Sequence, residues 1–499
     1  MDARSPRNLN QRGRLTFLLK DSILYGSAAA ISKAIALITL PLLVRQFSVV
    51  EYGVFDYFLV LAGVLTNLFI FGQDSAFYRF FFEYEDAAER RQTITQSLLV
   101  QLAGVVLLMP LLWFGAEWLT ALLIKAPDQM LLIEIVLMQL PFALLINFSQ
   151  IILKCTFDRA RFLVMSLGFA AVHAALLLIA VWVFDVGLQG VLIVGFISSV
   201  VFATLGIFFV RQWLAKPKDF RRLLEMLSYA APYGVIAVLG SLSPMLERTL
   251  INNLLGGEDL GIYAMASKIA MLIGLLVLAF QTAWSPFWFS LHKQADMSDT
   301  YNWVLKVFAL VMCLTALGFT LLAHPLIYFL ATSLYSSAVI VVFPLVMGLA
   351  IQATSEITGI GIAISKRSHL NLYSYSAAIT TTVIGIWLLV PVFGLFGVGL
   401  GVLVGHLVKS LVSSWLAQRA YPLPWPYIPV ILLMATTLAL GLGAIWLGER
   451  FGPLFRNLAL VASLLIVLLV GWCLLLNRGE RARVFVLVAG RIHLCSPRM

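Results

Sequence analysis

Fourteen apolar runs, each long enough to cross a bilayer as a helix, follow one another through the 499 residues. They fall at 22–47, 54–76, 93–115, 129–153, 162–184, 187–210, 229–255, 261–291, 301–323, 335–364, 370–392, 396–418, 427–447 and 453–476. A spanning helix needs about 20 predominantly apolar residues. In hydrocarbon the backbone must satisfy its own hydrogen bonds, so runs of this length specify helices. The pattern predicts an all-α integral membrane protein of about fourteen transmembrane helices. Composition agrees: 61% of residues are hydrophobic and 12% charged, against about 25% charged in an ordinary soluble domain. The runs at 22–47, 261–291 and 335–364 exceed the bilayer's need and are expected to tilt, bend or extend beyond it. Pro41, Pro110, Pro141, Pro244, Pro286 and Pro344 lie inside runs, where each removes a backbone donor and invites a kink. In a transporter such kinks serve as hinges; in any membrane bundle they also occur without that role.

Sidedness follows from Lys and Arg, which concentrate in cytoplasmic loops. With the N-terminus inside, the inner segments hold 24 of the 34 basic residues and the outer loops only Lys125, Arg450 and Arg456. That bias predicts two cytoplasmic termini, in accord with an even number of spans. The net charge of +10 is therefore a topology signal dispersed over short loops, and no nucleic-acid partner is expected. The first 20 residues carry Arg4, Arg7, Arg12, Arg14 and Lys20 without a short apolar core and cleavage site, which reads as a retained tail. Cys155, Cys313, Cys473 and Cys495 stand far apart, so neither a disulfide framework nor a metal site is expected.

The chain carries an internal repeat. Gly187-Leu188-Gln189-Gly190-Val191 opens the sixth run and Gly394-Leu395-Phe396-Gly397-Val398 the twelfth, 207 residues on. Glu51-Tyr52-Gly53 after the first run matches Leu260-Gly261-Ile262-Tyr263 after the seventh, 208 residues on between the glycines. Two anchors that agree within one residue predict two six-helix lobes related as a parallel repeat. The expected organisation is a cytoplasmic tail at 1–21, an N-lobe at 22–210, a basic linker at 211–228 and a C-lobe at 229–418. Two further spans at 427–476 and a cytoplasmic tail at 477–499 complete it.

An ionised side chain at mid-bilayer costs about 2.5–3.5 kcal/mol on insertion scales, so each one calls for a reason. Lys33 lies near the middle of the first run, Arg248 in the seventh and Lys268 in the eighth. Together they suggest a cationic cavity between the lobes suited to a phosphate-bearing substrate. His406 and Lys409 share a face of the twelfth run, and His173 is midway along the fifth. The acids are Asp74 at the inner end of the second run, Glu134, Glu247 and Glu356. A structural role is the alternative for Arg248, paired with Glu134 or another buried acid. Glu247 and Arg248, being adjacent, point apart on a helix and do not form a simple neutralising pair. Arg79 has Asp74 and Glu83 as partners at the cytoplasmic rim, while Arg45 and Lys306 lie near span ends, where long side chains snorkel.

Gly397-x-Gly399-x-Gly401 and Gly359-x-Gly361 sit inside apolar runs and read as close helix packing, not as a dinucleotide loop. The chain has no zinc-protease motif, nucleophile elbow or P-loop, so neither a cofactor nor ATP bound to this chain is expected. A membrane glycosyltransferase, polymerase or ligase carries a sizeable outer loop with catalytic groups; here the outer loops are short and nearly uncharged, which points to a transporter, not an enzyme.

Leu40-Pro41-Leu42-Leu43-Val44-Arg45 through Glu51-Tyr52-Gly53-Val54-Phe55, followed by Gly72-Gln73-Asp74-Ser75-Ala76-Phe77-Tyr78-Arg79-Phe80, resembles the N-terminal signature of bacterial polysaccharide flippases. So does Glu247-Arg248-Thr249-Leu250-Ile251 through Gly261-Ile262-Tyr263-Ala264-Met265-Ala266-Ser267-Lys268-Ile269, with Glu247 where that family usually has Asp. Lys366-Arg367 to Gly394-Leu395-Phe396-Gly397 fits as well, and the resemblance covers about 22–420. These flippases are the polysaccharide transporters of the multidrug/oligosaccharidyl-lipid/polysaccharide (MOP) superfamily. The resemblance implies a two-lobed bundle in the bacterial cytoplasmic (inner) membrane. It implies alternating-access transfer of undecaprenyl-diphosphate-linked oligosaccharide from the inner to the outer leaflet, coupled to an ion gradient or membrane potential. Lys33, Arg248, Lys268 and Lys409 are then the candidates for diphosphate and sugar, and Asp74, Glu134 and Glu356 for coupling to H+ or Na+. Tyr25, Trp284, Trp288 and Tyr373 either stack on sugars or pack helices. Membrane lipids, a polysaccharide polymerase and export machinery are the implied partners. A cation-coupled multidrug exporter and a lipid II flippase of the same superfamily are the alternatives; the basic cluster disfavours the exporter.

Overall fold

The computed structural model describes residues 11–84, 86–123, 129–218, 221–291 and 297–475. Residues 1–10 of the expected N-terminal tail, Lys125 and the expected tail at 477–499 lie outside these. All regular structure among the described residues is helical. The first half of the chain comprises α1 (Gln11–Gln46), α2 (Val49–Ile70), α3 (Gln73–Glu83), α4 (Ala87–Phe114), α5 (Ala116–Leu123) and α6 (Met130–Cys155). Next come α7 (Arg159–Leu163), which passes through a π turn at Val164–Gly168 into α8 (Phe169–Phe184), and α9 (Leu188–Val210). Beyond the basic linker lie α10 (Arg221–Leu254), α11 (Gly257–Met271), α12 (Ile273–Leu291) and α13 (Met297–Leu330). The chain closes with α14 (Val339–Thr358), α15 (Ile360–Ile364), α16 (Leu370–Ala420), α17 (Tyr427–Phe451) and α18 (Pro453–Leu475).

Thirteen helical stretches among the described residues are long and apolar enough to cross a membrane. One of them, α16, is 51 residues long, about twice what a crossing takes. Gly394 inside it holds φ 56° and ψ −136°, a conformation no helix contains, and divides it into two. With that division the crossings number fourteen, where the apolar runs place them. The bundle's surface is the inverse of a soluble protein's: Phe114, Trp182, Ile428 and Leu469 are exposed, while Gln73, Gln96, Ser97 and Gln101 are buried. Lipid is as apolar as leucine, so nothing drives these large side chains inward.

Of the three long runs, 261–291 and 335–364 break while 22–47 lies within one continuous helix, and the helix breaks do not fall at prolines. Pro41, Pro110, Pro141, Pro244 and Pro344 sit inside continuous helices. The breaks fall at Phe71–Gly72, both left-handed with φ 41° and 72°, at Leu272, at Gly359 and at Gly394. Gly72 is required at its break on two counts. A side chain there would be strained, and a Cβ would collide with the Ala230 carbonyl oxygen and lie 2.5 Å from the Gly234 nitrogen.

α2 starts with a capping box: the Ser48 hydroxyl accepts from the Glu51 amide (3.2 Å) and the Ser48 amide donates to the Glu51 carboxylate (2.9 Å). Ser48→Ala is expected to cost this helix end about 1 kcal/mol. Hydrogen exchange at the first amides of α2 should then quicken about fivefold; unchanged exchange would show the cap to be idle.

The chain packs as two compact units. One comprises Met1–Met265, Ile327–Ser336 and Ser368–Val398. Within it α6 lies against α9, α1 against α8, and α10 runs along α2, α3 and α4. The other comprises Ala266–Leu326, Ser337–Arg367 and Gly399–Met499. There α17 and α18 pair as a hairpin, and both α12 and α17 pack on α14.

Candidate functional site

Among the described residues, three buried charged side chains, Asp56, Glu247 and Arg248, gather where the start of α2, the end of α10 and the start of α11 meet. The capping box fixes the first turn of α2, and four-residue spacing then sets Tyr52 and Asp56 on one face. Across from them, Arg248 donates from Nε to Asp56 Oδ2 at 2.7 Å, with both side chains buried. Its Nη1 donates to the Pro244 carbonyl at 3.1 Å, and the guanidinium lies 5.5 Å from the Tyr263 ring centre. Glu247 is buried too, and takes its hydrogen bonds from elsewhere: the Tyr263 hydroxyl at 2.7 Å and the Ser243 hydroxyl at 3.1 Å. Adjacent in sequence and expected to point apart, Glu247 and Arg248 still form a long ion pair, Arg248 Nη1 lying 3.9 Å from the Glu247 carboxylate. The next residue of each helix, Tyr57 and Thr249, share a hydrogen bond of 2.7 Å, and Tyr52 meets Tyr335 edge-on at 6.0 Å.

Backbones touch at the same crossing. A Cβ on Gly53 would lie 2.6 Å from the Gly261 nitrogen, and one on Gly261 would overlap the Val49 carbonyl oxygen. These are the two glycines that anchor the 208-residue repeat.

The other candidates are distributed as follows. Lys33 is exposed on α1, next to Ser32, whose hydroxyl donates to the Ser166 carbonyl in the π turn. Lys268 is half-buried on α11. Lys409 is buried and ion-paired to Glu356 at 3.5 Å, so the structure joins a residue expected to hold substrate with one expected to couple ions. The Glu356 side chain keeps 45% of its surface exposed, unlike the closed-in Asp56. His406 of the same face packs on Gly348, and His173 sits 3.3 Å from the Ser198 hydroxyl. Asp74 is half-buried in the first turn of α3, where it accepts from the Ser75 amide at 2.8 Å; Glu134 is half-buried in α6. Arg79 stands 4.0 Å from Glu83, the second of its expected partners. Trp284 and Trp288 pack instead of opening to a cavity: Trp284 lies edge-on to Tyr301, 5.5 Å away, and Trp288 accepts the Tyr301 hydroxyl at 2.6 Å.

Asp56, the acid that answers Arg248, is absent from the sequence-based set. It lies three residues into a run taken to start at 54, where a charge passes for interfacial. The available signal is that it is the only charged residue between Glu51 and Asp74.

The sequence profile of the family described as "Polysaccharide biosynthesis protein" matches residues 18–292. Among curated proteins, the "Lsg locus putative protein 1" of Haemophilus influenzae is 22% identical over 310 residues, 59% of this chain and 72% of that protein. An "Uncharacterized membrane protein" of the same organism is 23% identical over 296 residues, 58% of this chain and 70% of its own length. Among solved structures, the lipid II flippase MurJ in an inward closed conformation superposes with a TM-score of 0.68 at 17% identity, over 89% of this chain and 98% of its own. An inward-facing multidrug resistance MATE transporter of the MOP superfamily gives 0.63 at 16% identity, over 80% and 97%. At such identities the likeness concerns the helical fold.

Proposed function

This chain belongs to the polysaccharide biosynthesis protein family, and from that premise we propose that it flips a polyprenyl-diphosphate-linked oligosaccharide from the inner to the outer leaflet of the bacterial cytoplasmic membrane. The observation that carries the reading is Lys33, exposed at mid-helix in an α1 long enough to cross the bilayer. An ammonium facing hydrocarbon is expensive; one facing a water-filled path is not, and it supplies the point charge a diphosphate needs. Lys268, half-buried on α11, is the second cation of the reading. Arg248 and Lys409 are held cations, engaged by Asp56 and Glu356. In an alternating-access cycle the diphosphate takes their place as counter-ion when these pairs open. The polyprenyl tail stays in lipid throughout, so only the headgroup needs a polar route.

The distribution of Lys and Arg supports a basic-loop end, and both termini, in the cytoplasm. The repeat supports two six-helix lobes moving against each other. Coupling to H+ or Na+ falls to Asp74, Glu134 or Glu356, and a polymerase that consumes the flipped repeat unit is the expected partner.

The test is leaflet exchange of an undecaprenyl-diphosphate oligosaccharide in proteoliposomes. Wild-type protein should exchange it, and Lys33→Ala and Lys268→Ala should each slow the initial rate about tenfold, the worth of one charge-assisted contact. No exchange, together with proton- or sodium-driven efflux of a cationic dye, overturns the reading in favour of a drug exporter.

A further inference from the structure

At the end of the bundle that carries the basic loops, α3 and α10 are clamped together. A Cβ on Gly234 would lie 2.7 Å from the Phe71 carbonyl carbon, and Ala76, Phe80, Met226 and Ala230 form a small buried core between the two helices. The clamp displays one edge: Arg79 from α3, and Tyr229 and Tyr233 one turn apart on α10. The Arg79 guanidinium lies over the Tyr229 ring, 4.4 Å from its centre, and its side chain is 54% exposed. The Tyr229 and Tyr233 rings are 5.4 Å apart. The Tyr229 side chain interacts with both Tyr233 and Arg79, and Tyr233 also with Ser368 from the loop before α16. Further along α10 the Tyr375 ring comes within 3.4 Å of the position a Cβ on Gly240 would take. Tyrosines thus continue from the loop end toward the interior.

We propose that Arg79, Tyr229 and Tyr233 form a docking platform for the sugar–diphosphate headgroup, the guanidinium taking phosphate oxygens and the tyrosine rings the apolar faces of the sugars. The inference deepens the flippase reading and rests on it. Tyr229 engages one side of the guanidinium, and with the side chain 54% exposed the remaining N–H groups stay accessible. Glu83, at 4.0 Å, is too far to hydrogen-bond them. A guanidinium more than half exposed can turn its planar fork to a diphosphate, which Arg248, buried and fastened to Asp56, does not. An arginine that merely snorkelled to lipid phosphate would have no need of a tyrosine pair beside it.

The test measures binding to the full chain in nanodiscs, with two probes: undecaprenyl diphosphate, and the same lipid bearing a disaccharide. Arg79→Gln should weaken both about tenfold, and Arg79→Lys should restore part of the loss. Tyr229→Ala and Tyr233→Ala should weaken only the glycosylated probe, about fivefold, while Lys306→Gln changes neither. Excess phosphatidylglycerol should not displace the probes; displacement by it would reduce the platform to a general lipid-phosphate contact and overturn the proposal. So would wild-type affinity in all three variants, even with flipping intact in the wild type. A wild-type chain that binds both probes through these residues yet exchanges neither overturns the flippase reading alone.

Discussion

Gly261→Ala should all but eliminate folded protein, although it adds a single methyl group. The atom it would strike is the Val49 carbonyl oxygen, and its partner Gly53 already stands against the Gly261 nitrogen. Neither is the end of a flexible side chain, so relief requires α2 and α11 to separate along their length. Separation would in turn pull Tyr263 from Glu247, breaking a buried hydrogen bond of 2.7 Å. Overpacking of a well-packed site costs about 1–3 kcal/mol when side chains can shift, and more is expected where only backbone can. Gly63→Ala is the control: it lies in α2 with nothing within 4 Å of the added atom, and alanine favours helix by about 1 kcal/mol. The measurement is the monodisperse fraction and thermal midpoint after detergent extraction. Equal tolerance of both substitutions would refute the backbone contact.

The second large effect is a coupling. Arg248→Ala leaves Asp56 buried without its guanidinium, and Asp56→Ala leaves Arg248 likewise. Breaking a buried ion pair from either side typically costs about 3–5 kcal/mol. Removing both partners leaves no uncompensated charge, so the double variant should be far less unstable than the sum of the two. The Lys409–Glu356 pair makes the comparison sharper. Its carboxylate keeps 45% of its surface exposed, water can solvate it once the cation is gone, and Lys409→Ala should cost well under half as much as Arg248→Ala. A thermal double-mutant cycle in detergent reads all of this. Additive losses at 56 and 248 would mean that the two residues act independently, contrary to their 2.7 Å bond.

The fourteen crossings were legible because a span is written locally: about 20 apolar residues in a row suffice, whatever they pack against. Gly53 and Gly261, singled out in the sequence as anchors of a repeat, meet at a contact that only glycines permit. The counter-ions were not legible. Asp56 and Arg248 are 192 residues apart, and a buried cation alone does not reveal whether protein or phosphate neutralises it. The same blindness divided Lys409 and Glu356 between two expected roles when one bond joins them. Prolines do not mark the breaks, because a neighbouring helix can re-satisfy the carbonyl a proline abandons; Phe71–Gly72 and Gly394 break helices through their own dihedral angles.

The hairpin of α17 and α18 turns on Gly452 alone. Two crossings joined so tightly bring the chain back to the side it left. A reporter fused after residue 420 and one fused after residue 475 should therefore register the same compartment. Through evolution or engineering, the hairpin can be gained or lost as a block without inverting any helix that precedes it.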